Sequence, residues 1–281
     1  MKLLTTLFVV MMAVVVSCTD RKPASQFNFG TEPYDSEPYD SAALHVALVP
    51  NRDCLPIYYA ERTGIYDSLG LHLQIATYPS QMDCDTTLMG HIADGGWADG
   101  VRMAHHGARM AGLKVMWTGS QRWELFTCGT LRLREVKSLA GRTVGIARHS
   151  AESELLRLVL QSAKVNADNV YYPQINNLNL RAQMLTGDQI DAAMLCWPYT
   201  SLAYSEGHKC IYAQRFASSK GCFVMKSKRM ADAPKRQQWQ LFEKGRRMAL
   251  DSIRIKGPKA YSIILQKDYG LPKAVADTIK Y

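Results

Sequence analysis

Polar and aromatic side chains follow the predicted strands of this chain, at the points where the strands end. Ligands of open α/β sheets bind at the carboxyl ends of the strands, where helix N-termini present free N–H groups. In the first half of the chain these segments contribute Asn51, Cys54, Ser80, Gln81, Asp83, Trp97 and Asp99. In the second half they contribute Arg148, His149, Ser150, Asn176, Asn177, Trp197 and Tyr199. This mixture of amide, hydroxyl, carboxyl and aromatic groups predicts the capture of a small molecule.

Ser150 opens a predicted helix and marks a candidate anion site. The N–H groups behind it could hold a carboxylate, sulfonate or phosphate, and Arg148 would add positive charge. Trp97, Trp197 or Tyr199 could stack on a planar ring. Several of these residues have an ordinary structural alternative. The two tryptophans could pack against strand ends, Asp99 could cap a helix, and Arg148 could be a solvated surface charge. The pattern favours a small anionic or heteroaromatic solute.

Other arrangements do not indicate catalysis or metal binding. No Ser/His/Asp set or pair of carboxylates stands out, so we predict no catalytic residue and no cofactor. The adjacent His105 and His106 would point to different sides of a helix or strand, which makes them a poor chelating pair. We therefore predict no metal site.

The first residues resemble a bacterial lipoprotein signal. Lys2 precedes an apolar run over residues 3–16, and Ser17 and Cys18 follow it. The run is too short to span a bilayer, and the small residue suits a signal peptidase. We predict a signal peptide over 1–17 and lipidation of Cys18, with an ordinary secretory signal as the alternative. The protein would then lie on the periplasmic side of a bacterial membrane, where ATP and NAD(P)H chemistry is disfavoured.

Residues 18–43 read as a tether, because a tandem repeat at 32–36 and 37–41 carries Pro and acidic residues but few aliphatic ones. The remaining composition is that of a globular protein, with 47% hydrophobic and 21% charged residues and a formal charge of +9. Its Lys and Arg are scattered, which together with export argues against nucleic-acid binding. We expect a monomer whose anchor is the lipid.

Six cysteines remain once Cys18 is assigned to lipid. In an oxidising compartment they can pair, and Cys210 with Cys222 (across a possible hairpin) and Cys54 with Cys84 are the candidate pairs. Free buried thiols are the alternative.

Predicted strands and helices alternate through most of the chain. Strands are predicted over 44–49, 71–78, from 92, 143–147, 170–175 and 190–196, and helices over 56–62, 83–89, 150–163 and 177–185. Residues 88–94 and 185–191 echo each other, each with a helix end, a glycine turn and an Ile before an Asp. Helices are also predicted over 237–255 and 259–267 and from Pro272, with Trp239, Phe242, Met248, Ala249 and Ile253 as core positions. This pattern indicates two similar α/β lobes with parallel strands.

These motifs resemble a known family, the type II periplasmic solute-binding proteins of ABC importers, in the nitrate/sulfonate/taurine and thiamine-pyrimidine-precursor group. The resemblance rests on VALVPN at 46–51, PIYYAERTGIY at 56–66, LGLHLQI at 69–75, LAGRTVGI at 139–146, and Met184, Gly187, IDAA, WPY and EG between 184 and 207. The chain departs from the family at Trp197, where an acidic residue is frequent, and at Cys54 and Cys84.

The resemblance implies two Rossmann-like lobes with a ligand cleft between them, and an ABC permease and ATPase as partners. We place lobe one at 44–128 plus about 222–281, and lobe two at about 129–221. Two alternatives remain: an enzyme on the same scaffold, similar to thiamine-pyrimidine synthases, or a ligand-sensing subunit for a membrane partner.

Overall fold

A computed structural model describes residues 40–90, 92–215 and 220–281. Residues 41–281 form one compact unit. The predicted signal peptide, Cys18 and most of the predicted tether lie outside the described residues. In the described part of the chain, no helix combines the length and apolar character needed to cross a bilayer.

Strands and helices alternate through the unit. The strands are β1 (Leu44–Leu48), β2 (Leu73–Thr77), β3 (Gly95–Asp99), β4 (Leu113–Thr118), β5 (Trp123–Thr127), β6 (Val144–Gly145), β7 (Ala192–Cys196), β8 (Lys209–Ala213) and β9 (Gly221–Lys226). The helices are α1 (Leu55–Arg62), α2 (Ile65–Ser68), α3 (Gln81–Met89), α4 (Gly100–His106), α5 (Ala151–Ser162), α6 (Leu178–Thr186), α7 (Tyr199–Ser205), α8 (Ser227–Ala231), α9 (Ala233–Lys256), α10 (Ser262–Lys267) and α11 (Lys273–Ala276). Short 3₁₀ turns occupy Gly107–Met110, Gly129–Leu131, Val136–Leu139, Ala167–Asn169 and Pro258–Ala260.

The strands form two sheets, which confirms the predicted α/β architecture with two lobes. The first sheet has the order β2-β1-β3-β9-β4, and the second has the order β6-β7-β5-β8. β1 is parallel to β2 and β3, and β6 is parallel to β7. The expectation of parallel strands holds only for these pairs, because β9 is antiparallel to β3 and β4, and β5 is antiparallel to β7 and β8.

The chain crosses between the sheets twice. It leaves the first sheet after Thr118 and enters the second at Trp123, then leaves after Ala213 and returns at Gly221. The predicted boundary at 128 assigned residues 123–127 to lobe one, whereas their pairing with β7 and β8 places them in the second sheet.

Two other predictions about the strands are wrong. Residues 170–175 form only isolated bridges, Thr143 to Tyr171 and Ile146 to Gln174, since Pro173 lacks the N–H that a ladder needs. Cys210 and Cys222 do not flank a hairpin, because β8 and β9 belong to different sheets. All six described cysteines are free thiols.

Glycine explains how β3 fits against β1. A Cβ at Gly96 would lie 2.1 Å from the carbonyl oxygen of Ala47 on β1, so only glycine permits this approach of the two backbones. Every residue of β3 is buried.

The long helix α9 closes the core beneath the first sheet. Its residues Trp239, Phe242, Ala249 and Ile253 are buried, as the spacing predicts, and the ring of Phe242 stacks on Tyr66 with centroids 5.5 Å apart. Met248 differs from the expectation, since 42% of it is exposed.

Candidate functional site

A cavity lies where the segments after the strands of the two sheets face each other. It encloses about 680 Å³ of space that no atom occupies, part of it continuous with solvent. Eight of the fourteen residues predicted at the strand ends line this cavity. Asn51, Ser80, Gln81, Trp97 and Asp99 do so from the first sheet, and Ser150, Asn176 and Tyr199 do so from the second.

The other six predicted residues lie outside the lining: Cys54, Asp83, Arg148, His149, Asn177 and Trp197. Cys54 is fully buried in the core, and burial raises the pKa of its thiol. Asp83 lies in the first turn of α3, where its carboxylate accepts a hydrogen bond from Ser80 Oγ at 2.6 Å.

Arg148 and Trp197 make their contacts outside the cavity. Arg148 is exposed, and its Nη2 is 3.4 Å from the carbonyl oxygen of Tyr172. The indole N–H of Trp197 donates to the carbonyl of Lys280 at 3.2 Å, and its ring meets Tyr281 edge-on. Sequence position places both after a strand, but neither supplies charge or stacking to the cavity.

The N-terminus of α5 is built as predicted but has a different occupant. The Ser150 side chain accepts from Ser153 N, and the Ser153 side chain closes a reciprocal capping box. The next free donor, Ala151 N–H, bonds Asp99 Oδ2 at 2.8 Å. The carboxylate of the first sheet therefore lies where an anionic ligand was expected.

Asp99 also caps the helix that follows it. Its Oδ1 accepts from Val101 N at 2.8 Å and from Arg102 N at 3.2 Å, at the start of α4. Burial raises the pKa of this carboxyl to about 6, although the three N–H donors oppose the shift and Glu152 adds to it. Asp99 is thus both a helix cap and a link between the two sheets.

A buried ion pair supports the second-sheet wall of the cavity. Arg181 Nη1 lies 2.7 Å from Glu152 Oε2, and both side chains are 1% exposed. Nη1 also donates to the carbonyl of Met194, and Nε and Nη2 donate to the carbonyl of Ile175. Glu152 Oε1 accepts from Ala147 N. The pair holds the loop before α5 in place.

Aromatic rings form another part of the lining. Trp97, Trp123 and Tyr199 line the cavity, and the Tyr199 hydroxyl donates to the Tyr269 carbonyl at 3.1 Å. The ring of Trp97 fits against Gly221 because glycine has no Cβ; a Cβ there would lie 2.6 Å from the ring. Aromatic rings in the lining of a cavity offer stacking area to a planar ligand.

Asn51 provides a donor without a partner. The residue is 1% exposed, its Oδ1 accepts from Cys54 N at 2.9 Å, and its carbonyl accepts from the Tyr269 hydroxyl. No described residue accepts a hydrogen bond from Asn51 Nδ2. Since buried amides are normally paired, this N–H₂ group is suited to a ligand acceptor.

Sequence reasoning missed Gln121, Trp123, Glu152 and Arg181, which all line the cavity. Glu152 lies in the first turn of α5, and Arg181 lies 29 positions further on, in α6. A charged residue in each of two helices was the available signal. It does not reveal that the two side chains meet.

The described residues hold no group of three or more His, Cys, Asp or Glu side chains placed to bind a metal ion. His105 stacks on His149 with ring centroids 4.0 Å apart, and His106 Nε2 lies 3.4 Å from Asp85 Oδ2. The two histidines thus have separate partners.

Comparison with known proteins identifies the family. Residues 51–221, more than half of the chain, match the model of the NMT1/THI5-like family. The chain belongs to the NMT1/THI5-like family. No curated protein sequence matches the chain significantly.

Solved structures share the fold of this NMT1/THI5-like chain. The alkanesulfonate-binding protein SsuA of Xanthomonas axonopodis pv. citri, bound to MOPS, is 18% identical with a TM-score of 0.67, over 85% of this chain and 83% of that one. The periplasmic nitrate-binding protein NrtA of Synechocystis PCC 6803 is 10% identical with a TM-score of 0.68, over 83% and 68%. A methylphosphonate complex of PhnD1 from Prochlorococcus marinus is 12% identical with a TM-score of 0.59, over 81% and 90%. The fold is that of the two-lobed periplasmic binding proteins.

Proposed function

We propose that this protein captures a small, planar, hydrogen-bonding solute outside the cytoplasm and delivers it to an ABC importer. The observation that carries the proposal is the cavity between the strand ends of the two sheets. It combines the aromatic rings of Trp97, Trp123 and Tyr199 with the unpaired amide of Asn51. Rings provide stacking area, and a few placed polar groups fix orientation, as in other small-molecule sites.

Delivery to an importer is supported by the structural neighbours. One of them, 12% identical with a TM-score of 0.67, is described as the ligand-binding component of an ABC-type import system from Staphylococcus aureus. A permease and an ATPase are accordingly the partners we propose. A sensory role would use the same cavity, and genes beside this one distinguish the two: a permease and ATPase indicate import, and a histidine kinase indicates sensing.

Membrane attachment is a separate part of the proposal. Ser17 and Cys18 after an apolar run support lipidation at Cys18, and residues 18–43 would space the folded unit from the bilayer. We expect metabolic labelling with an alkyne fatty acid to mark the wild-type chain in bacterial cells. Cys18→Ser should abolish the label, and labelling of that variant would contradict the lipid anchor.

A thermal-shift screen of residues 41–281 tests solute capture. The panel should hold pyrimidines and other amino heterocycles, thiamine and flavin precursors, amino acids, sulfonates and nitrate. A ligand at 100 times its Kd stabilises the native state by about 2.7 kcal/mol. For a unit of this size, each kcal/mol of added stability raises the melting temperature by about 2–4 °C. A shift of about 5–10 °C is therefore the positive result.

Matched variants locate the bound solute. Gln121→Ala removes a side chain that lines the cavity, whereas Gln189→Ala removes an exposed one outside it. We expect the first to reduce the shift and the second to preserve it. If no compound raises the melting temperature and turnover of a compound is detected instead, the enzyme alternative replaces this proposal.

A further inference from the structure

The N-terminus of α5 has the features of an anion site but already holds a carboxylate of the same chain. Free N–H groups and the helix dipole favour negative charge at such a position. Here Asp99, at the end of β3, supplies that charge through its contact with Ala151 N–H at 2.8 Å. A sulfonate or nitrate entering the cavity would compete for the same donor and would meet a carboxylate.

The positive groups around the cavity do not offset this charge. Of the three charged side chains in the described lining, Glu152 and Arg181 pair with each other, which leaves Asp99 without a counter-charge in that lining. Arg102 is one turn away, but its Nε lies 2.5 Å from Asp85 Oδ2 and its Nη1 donates to the Arg148 carbonyl at 3.0 Å. Burial raises the pKa of Asp99 to about 6, so the group is mostly ionised at neutral pH.

Hydrogen-bond capacity defines what the carboxylate can still accept. Each carboxylate oxygen has two lone-pair sites. Oδ1 uses both, for Val101 N and Arg102 N, whereas Oδ2 uses one, for Ala151 N. One acceptor site on Oδ2 therefore remains for a donor. The unpartnered Nδ2 of Asn51, in the same lining, is the complementary donor.

We propose that Asp99 is the specificity-determining residue of this cavity, an inference that rests on the proposed function. It selects neutral or cationic planar ligands that carry an N–H donor and an acceptor, and it excludes oxyanions. The expected ligand differs from the alkanesulfonate and nitrate for which two of the fold neighbours are named. Binding here involves no covalent step; the ligand N–H donates to Asp99 and its acceptor receives the Asn51 amide.

Calorimetric titration of the full chain, solubilised in dodecyl maltoside at pH 7.5, tests the inference. The probes are three neutral amino heterocycles (cytosine, adenine and 4-aminopyrimidine) and three oxyanions (ethanesulfonate, nitrate and methylphosphonate). The proteins are the wild type, Asp99→Asn, and the matched control Asp83→Asn, whose carboxylate lies outside the cavity lining.

We expect the wild type to bind at least one heterocycle and none of the oxyanions. Loss of a hydrogen bond to a charged acceptor should weaken the heterocycle about 10- to 100-fold in Asp99→Asn. The same variant should gain oxyanion affinity, because Asn leaves no negative charge at the helix N-terminus. Asp83→Asn should behave like the wild type. If Asp99→Asn weakens the heterocycle without any gain of oxyanion affinity, the role of Asp99 is purely structural and the specificity role is overturned.

The failures are distinguishable. Oxyanion binding by the wild type, or unchanged heterocycle affinity in Asp99→Asn, overturns the specificity role and leaves solute capture intact. Absence of binding from both probe sets overturns the specificity role and the proposed planar solute together.

Discussion

Replacement of Arg181 by Met removes one partner of a buried ion pair, and we expect it to destabilise the folded unit strongly. Arg181 is fully buried, and its guanidinium donates to Glu152 Oε2 and the Met194 carbonyl at 2.7 Å, and to the Ile175 carbonyl at 2.6 and 2.9 Å. The substitution leaves the Glu152 carboxylate buried without its positive partner and also leaves two carbonyls with fewer donors.

The expected magnitude follows from this geometry. Removal of one member of a buried, hydrogen-bonded ion pair costs about 3–5 kcal/mol, because the remaining charge has no compensation. Single domains have free energies of unfolding of about 5–15 kcal/mol. The variant should therefore lose a large fraction of its total stability. Addition of Glu152→Gln removes the unpaired charge, and the double variant should recover about 1–3 kcal/mol relative to the sum of the single effects.

Urea unfolding of residues 41–281 at pH 7, extrapolated linearly to water, measures these differences. Arg142→Met is the matched control, since Arg142 pairs with Asp191 at 3.6 Å with 41% of its side chain exposed. An exposed pair of this kind contributes about 0–1 kcal/mol. If Arg181→Met costs no more than Arg142→Met, the pair does not support the cavity wall as described.

Three further effects can be measured on the same unit. Burial raises the pKa of Asp99 to about 6 from 3.8, so the folded state binds its proton more tightly than the unfolded state. This contribution to the free energy of unfolding, up to about 3 kcal/mol, is present below about pH 4 and lost as the pH rises through about 6. Urea unfolding across this range should show the loss in the wild type and not in Asp99→Asn. An equal dependence of stability on pH in the two proteins would contradict the buried carboxyl. Ser150→Ala removes the cap of α5 and should cost about 1 kcal/mol, whereas Ser150→Gly should cost only a few tenths; equal costs for the two would remove the capping argument. Gly96→Ala places a Cβ 2.1 Å from the Ala47 carbonyl oxygen, whereas the new Cβ in Gly112→Ala has no atom within 4 Å. We expect only the first variant to lose stability, by about 1–3 kcal/mol. Similar denaturation midpoints for the two variants would show that β1 and β3 separate without cost.

Local signals in the sequence were sufficient for most elements that surround the cavity. Ser80, Ser150 and Asn177 each precede a helix and accept a hydrogen bond from its first turn. Gly187 ends α6. A cap involves groups within three or four residues of each other, so its chemistry is visible in the sequence. This is why eight predicted residues after the strands reach the cavity.

Strand pairing was beyond such signals. β9 lies between β3 and β4 although more than 100 positions separate it from either in the chain. β5 follows β4 closely and yet joins the other sheet. Antiparallel partners are selected by packing and register across the whole unit, so a pattern of alternating strands and helices does not reveal them.

The sequence alone established the α/β class, the family and the edge of the sheets at which the cavity lies, because periodicity, caps and glycine turns are local properties. Tertiary structure decided the charge of the cavity. It brings Asp99 to Ala151 across 52 positions, pairs Glu152 with Arg181 across 29, and moves Arg148 and Trp197 out of the lining. Electrostatic character depends on which distant groups are desolvated together, and that follows only from the folded arrangement.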